Sequence, residues 1–207
     1  MYTCANCTVL ACEHGSHENL PKNCPMLDET KLEGILAEYE KEEVKDFYVT
    51  CSSIEAEGYC QWPRLRETIE FCKKMGYKKI GMAFCGGLRS EARVVEELFR
   101  KHGFQVCSVV CKVGTFDKER VGIADSQKVH PGQFEPMCNP ITQAKLLNEE
   151  KTDFNIVVGL CVGHDSLFLR NSEALATVLV AKDRALGNNP CAAIYTANTY
   201  CKGRLNP

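Results

Sequence analysis

Cys4, Cys7, Cys12 and Cys24 stand in the pattern C-x2-C-x4-C-x11-C within the first two dozen residues. Thiols at such density suit metal ligation: thiolates are soft donors for zinc and for iron–sulfur clusters, and four of them meet either requirement unaided. Their neighbours Asn6, Glu13, His14 and Lys22 are polar, whereas an idle cysteine prefers apolar company. A second set, Cys85, Cys111, Cys138 and Cys161, is dispersed, and His164 follows in the segment Cys161-Val162-Gly163-His164-Asp165. Dispersed thiols act together only if a fold gathers them, so the elements that carry them decide what they can do.

Those elements follow from periodicity. Over 28–42, Leu32, Ile35, Leu36 and Tyr39 fall at helical spacing behind Asp28, a capping residue. A second helix is predicted from Val44 into the fifties. A third opens at Trp62-Pro63, with Leu65, Ile69, Phe71 and Cys72 on its apolar side and Gly76 at its stop. Beyond Gly76, short apolar runs alternate with helices, the mark of a parallel sheet with crossovers. Strands are predicted over 79–84, 104–110, 154–160 and 175–181. The helix after the first carries Leu88, Ala92, Val95, Leu98 and Phe99 and ends at Gly103, and a helix over 140–151 capped by Asn139 leads into the third. The polar stretch 112–137 is long enough to be functional or disordered. The fold class is therefore α/β, a Rossmann-like parallel sheet with flanking helices, preceded by an N-terminal cysteine-rich metal module. The expected organisation is that module over 1–27 and an α/β domain over 28–207, with a helical lead-in over 28–76 and the sheet over 77–207, in one compact unit.

In this frame Cys85, Cys111 and Cys161 end the first three strands and Cys138 precedes a helix. All four then lie at the carboxyl edge of the sheet, where doubly wound folds place ligands. Backbone N–H groups around Cys85-Gly86-Gly87 and a helix N-terminus after Cys138 favour thiolate, and Arg89 and Lys112 offer positive charge. His164 is a candidate ligand or proton donor; the alternative is a histidine hydrogen-bonded at a helix entry, with Asp165 as cap. Cys107, in mid-strand, and Cys51, Cys60, Cys72, Cys191 and Cys201 are assigned packing roles. No G-x-G-x-x-G, P-loop or G-x-S-x-G pattern is present, and Cys4-Ala5-Asn6-Cys7 lacks the strand–helix context of a thioredoxin motif.

Composition narrows the class. A chain of 207 residues with 44% hydrophobic content can build its own core, so fourteen cysteines are not needed as staples. The opening residues carry no signal-peptide pattern and no apolar run approaches spanning length, so a cytoplasmic protein with free thiols and no membrane partner is expected. The net charge of −2 and the lack of a basic stretch argue against nucleic acid.

The knot with Leu20-Pro21-Lys22-Asn23-Cys24-Pro25, then Lys79-Ile80-Gly81-Met82-Ala83-Phe84-Cys85, Cys111-Lys112-Val113-Gly114, Met137-Cys138-Asn139-Pro140-Ile141 and Gly159-Leu160-Cys161-Val162-Gly163-His164-Asp165-Ser166 resemble the uncharacterised prokaryotic family called domain of unknown function 1847. The resemblance spans nearly the whole chain and implies a cysteine-rich metal-binding or redox protein, without supplying a reaction. Cys51, Cys60, Cys191 and Cys201 match none of the family motifs. The first functional expectation is a protein with two iron–sulfur centres, each a [4Fe–4S] cluster, acting in electron transfer or as a reductase. Cys85, Cys111, Cys138 and Cys161 would hold the reactive cluster and Cys4, Cys7, Cys12 and Cys24 the relay, with a redox protein or a small molecule as partner. The alternative is a non-enzymatic protein with zinc at the N-terminal site and a metal-handling site at the sheet edge. A third expectation is metal-free thiol chemistry with Cys138 as nucleophile.

Overall fold

The computed structural model describes residues 1–206, and the chain divides into two units, Met1–Glu57 and the chain from Gly58 onward. In the first, closely spaced cysteines and prolines give 3-10 turns, Cys4–Asn6, Ala11–Glu13 and Pro25–Leu27. Asn23 ties them by donating to Thr3 Oγ1 at 2.6 Å and to the carbonyl of Met1 at 3.3 Å. Helix α1 (Glu29–Leu36) begins where expected, its Asp28 side chain accepting from the N–H of Lys31 at 3.2 Å. Its apolar positions Leu32, Ile35 and Leu36 are nevertheless exposed. Helix α2 (Glu42–Gly58) follows.

In the second unit Pro63 sets an extended entry to α3 (Arg64–Lys74), which buries Ile69, Phe71 and Cys72. Strands β1 (Lys79–Phe84), β2 (Gln105–Val110), β3 (Phe154–Val158) and β4 (Ala176–Val180) form one parallel sheet in the order β2-β1-β3-β4. Helices α4 (Arg89–Lys101), α5 (Pro140–Glu149) and α6 (His164–Asn171) make the crossovers, and α7 (Pro190–Tyr195) and α8 (Lys202–Leu205) follow β4. This is the Rossmann-like α/β class that the alternation of apolar runs and helices predicts. The chain runs from β1 outward to β2, then returns past β1 to β3, so the direction of winding reverses between β1 and β3. A crevice at the carboxyl ends of the strands belongs at that reversal.

Strand alternation decides which face the cysteines share. Ala83 of β1 packs with Ala144 and Leu147 of α5 and Phe168 of α6, and Cys107, Val109 and Cys111 border the same cluster. Successive side chains alternate faces, so Cys85, two residues after Ala83, joins this side. Met82 and Phe84 line the opposite groove with Ala92 and Glu96 of α4. Phe168, Leu147, Ile156 and Val157 are fully buried, each contributing about 1.5–3 kcal/mol by leaving water.

Two features depart from the expected pattern. β3 stops at Val158, because Gly159 turns the chain with φ of +67°, so Cys161 lies beyond the strand rather than at its end. The stretch 112–137 is neither extended nor bare loop: it closes around Lys128, whose side chain is 3% exposed. The Lys128 ammonium reaches Glu119 at 2.6 Å, Asp125 at 3.2 Å and the carbonyl of Gln133 at 3.1 Å. Lys118 pairs with Glu135, and Met137 N–H returns to the carbonyl of Phe116 at 2.7 Å. A buried ammonium needs several acceptors, and this segment folds to supply them.

Candidate metal centre

In the N-terminal unit Cys4, Cys7 and Cys24 line one shallow concavity with Asn6, Pro21 and Asn23, and Cys12 is outside that lining. Cys4 and Cys12 are exposed, Cys7 and Cys24 half-buried.

At the sheet edge all four dispersed cysteines converge. Cys85, Cys111, Cys138 and Cys161 line a single small concavity together with Gln143, Leu160 and His164. Sequence-local geometry brings each one there. Cys85 leaves β1 with its N–H still bonded to the carbonyl of Val158, and Cys111 leaves β2 with its N–H on the carbonyl of Phe84. Asn139 places Cys138: its N–H donates to the carbonyl of Cys111 at 2.7 Å and its side chain caps α5 at the N–H of Thr142. Cys161 is held by the turn into α6, its carbonyl accepting from the N–H groups of His164 and Asp165. Cys138 Sγ, Cys161 Sγ and a ring nitrogen of His164 lie within 4.8 Å of one another, the one such group of Cys, His, Asp and Glu donors among the described residues.

The electrostatics favour thiolate. The thiol of Cys111 sits between two others and is pushed up by its hydrogen bonds to Cys138 and Cys85, so it keeps its proton and shares it. Cys85 is correspondingly pulled down to about 5, by Cys111 first, against burial, with the Gly87 N–H and Lys182 assisting. Cys138 is pulled down to about 5 as well, again by Cys111 first, with Lys112 and His164 assisting. The N–H of Gly86 donates to Cys111 Sγ at 3.3 Å, and Arg184 donates to Cys161 Sγ at 2.9 Å. By contrast Cys72, buried among apolar groups, is pushed up to about 12, and Cys107 is also raised by burial.

Two buried polar atoms in this concavity have no partner. Gln143 is fully buried; its amide nitrogen donates to the carbonyls of Phe84 at 3.3 Å and Val109 at 2.7 Å, which fixes the amide orientation, because carbonyls only accept. Its Oε1 is left without a donor, and Nδ1 of His164 has no hydrogen-bond partner. A buried polar atom left without a partner costs about 1–3 kcal/mol, and here two such atoms border four thiols. Four soft sulfurs, two of them (Cys85 and Cys138) with lowered pKa values, an imidazole and these unpartnered atoms fit a metal-bearing group.

Sequence neighbours did not identify every supporting cation. Lys112 is at the site, bonded to the carbonyl of Pro136 at 2.6 Å, but Arg89 lines the groove beside α4 on the other face. The cations that replace it are Lys182 and Arg184, just past β4, where Asp183 forms the turn by accepting from the N–H groups of Ala185 and Leu186. Gln143 is a further site residue that spacing does not mark, a polar side chain on the inward face of α5. Asp165 accepts from the N–H of Ser166 at 2.8 Å, inside the first turn of α6, while Gly163 occupies the cap position with no side chain to offer.

Fold and site together define a cysteine-rich α/β protein with a Cys/His cluster at the crevice of a parallel sheet. The chain belongs to the family described as Protein of unknown function (DUF1847), whose model matches residues 24–179. It is 49% identical over 162 residues to the Uncharacterized protein MJ0455 of Methanocaldococcus jannaschii, an alignment that covers 78% of this chain and 82% of that protein. The family match includes Cys24, all four sheet-edge cysteines, Gln143 and His164; Cys4, Cys7, Cys12, Lys182 and Arg184 lie outside it. No helix among the described residues is long and apolar enough to cross a membrane.

Proposed function

We propose that the sheet-edge cluster is a metal centre, and that a single ion held by Cys138, Cys161 and His164, with Cys111 or Cys85 completing the set, is the form the geometry supports best. The observation that carries this reading is the mutual approach of three donors within 4.8 Å. Thiolates about 2.3 Å from a tetrahedral ion stand about 3.8 Å apart, whereas a cubane cluster holds its cysteines at separate corners and needs them more widely spaced. Such an ion supplies Lewis acidity, or one-electron chemistry if it is iron. Around it, Lys112, Lys182 and Arg184 offset thiolate charge, Leu160 and the apolar core beneath keep water away, and Gln143 presents a fixed acceptor.

A [4Fe–4S] cluster on Cys85, Cys111, Cys138 and Cys161 is the second reading, favoured by the convergence of four thiols with an N–H donor on one sulfur and a guanidinium on another. In that form the protein carries electrons or acts as an oxidoreductase toward a protein or small-molecule partner. The knot of Cys4, Cys7, Cys12 and Cys24 is proposed as a second metal site, zinc or cluster, in a separate module over 1–27. All fourteen cysteines are unpaired, which supports a cytoplasmic, reducing location.

Metal and acid-labile sulfide per chain, measured on anaerobically purified protein and on Cys24→Ser, test these readings. Colourless protein, or iron without sulfide, with the sheet-edge ion kept in Cys24→Ser, supports the single ion. Brown protein with equal iron and sulfide supports the cluster. Metal-free protein in which Cys85, Cys111, Cys138 and Cys161 all alkylate freely would remove both and leave thiol chemistry at Cys138.

A further inference from the structure

Next to the metal centre is a second cavity, of about 210 Å³, reaching from Cys138 and His164 outward between the 118–123 segment and the starts of α5 and α6. Its walls are Val121, Ile123, Met137, Pro140, Ile141 and Leu167. Val121, Ile141 and Leu167 are 56%, 44% and 40% exposed, so apolar surface is left facing water at the mouth.

The polar groups of these walls are already committed. Lys118 is paired with Glu135, and Asn139 caps α5 and donates to the carbonyl of Val113. Only at the inner end, where Cys138 and His164 stand, does the cavity offer a polar contact, and there Nδ1 of His164 has no partner. The outer wall is preformed, because Val121 and Ile123 belong to the segment braced by the buried Lys128. A cavity of about 150 Å³ lined by apolar side chains takes benzene, and drug-sized sites begin near 300 Å³, so the space suits one small ring or a short alkyl chain.

We propose that this cavity binds a small uncharged ligand with an apolar body, which lies against Val121, Ile123, Ile141 and Leu167, and one donor atom, which meets the centre at Cys138 and His164. The placement of the donor atom rests on the metal-centre reading; the binding of the body does not.

Two isosteric probes separate these parts: ethylbenzene, which has only the body, and 4-ethylpyridine at pH 8, which adds a nitrogen donor. Each is titrated into the protein as purified, followed by the methyl NMR signals of Val121, Ile123, Ile141 and Leu167. Both probes should shift these methyls saturably, with 4-ethylpyridine binding at least tenfold tighter. Val121→Asp, which charges the wall, and Ile141→Trp, which fills the space, should each weaken both probes about tenfold; both positions are half-exposed, so folding should survive. Val94→Asp, on α4, should change nothing. Equal affinity for the two probes in protein shown to lack metal upholds the cavity site and counts against the metal centre. Absence of saturable shifts, or affinities indifferent to Val121→Asp and Ile141→Trp, overturns the cavity site. Shifts that follow protein concentration without probe overturn it too, since a second copy would then cover these walls.

Discussion

Gly159 lies where β3 turns toward Cys161, and replacing it with alanine should cost about 2–5 kcal/mol. Its φ is +67°, and a Cβ there would stand 1.9 Å from Cδ1 of Leu88, 3.4 Å from its Cγ and 3.7 Å from Cε of Lys182. The left-handed conformation costs an L-residue about 1–2 kcal/mol. The contact adds about 1–3 kcal/mol of overpacking, because Leu88 is 3% exposed and must shift within the buried interior to relieve it. Gly122 separates the two costs: its φ is +83° but nothing lies within 4 Å of an added Cβ, so Gly122→Ala should cost only about 1–2 kcal/mol. With a urea slope of about 2 kcal/mol/M, the midpoint should fall by about 1–2.5 M for Gly159→Ala and by less than about 1 M for Gly122→Ala. The single tryptophan, Trp62, reports the transition. Leu88→Ala alone should cost about 2–5 kcal/mol through a cavity. Combined with Gly159→Ala it removes the clash, so the double variant should be less destabilised than the sum of the singles by about 1–3 kcal/mol. A strictly additive cycle, or equal losses in Gly159→Ala and Gly122→Ala, would refute this account of the turn. Leu88 N–H bonds the carbonyl of Cys85 at 2.8 Å, so the same displacement should also lower occupancy of the proposed metal centre.

Three further outcomes are expected. Cys161→Ser should deplete metal from the proposed sheet-edge centre, measured per chain after gel filtration, whereas Cys107→Ser, whose sulfur lies in mid-strand, should keep it and change only the unfolding midpoint; equal depletion would rule out this set of thiols. His164→Ala separates the two metal readings: a single ion losing one of three close donors should bind at least tenfold more weakly, while a cluster on four cysteines should keep its iron and shift its reduction potential. Lys118 holds Glu135 at about 2 against an ordinary 4.5, so the contribution of that pair to the fold of the 117–136 segment is complete above about pH 4.5 and lost as pH falls through about 2. The methyl signals of Val121 and Ile123 should therefore hold their native positions at pH 5 and move between pH 4 and 2; movement confined to pH above 5 would contradict this assignment.

The cysteines were legible as chemistry because strands advertise themselves locally. An apolar run and the helix after it fix where Cys85 and Cys111 leave the sheet, and Asn139-Pro140 fixes the start of α5 beside Cys138. The strand predicted over 154–160 overruns Val158, since a continuous apolar run gives no sign that Gly159 will reverse the backbone, and Cys161 therefore lies beyond the strand. Stretch 112–137 reads as a long polar loop, functional or disordered, for a similar reason. Lys128, Glu119 and Asp125 look like surface charges one by one, and only their convergence on one ammonium buries it.

Gln143 shows where reading by spacing stops. A glutamine in an amphipathic helix normally marks the wet face, but this one is fully buried because two carbonyls, 59 and 34 residues away, receive its amide. Arg184 likewise reaches Cys161 from 23 residues on, while Arg89, four residues from Cys85, points into another groove. Proximity along the chain selects cations on the same helix; proximity at a sheet edge selects them from the ends of neighbouring strands. Thiols placed at those ends announce a site, whereas the residues that would orient and neutralise it are chosen by the winding of the sheet, and a spacing rule cannot see across β1, β3 and β4.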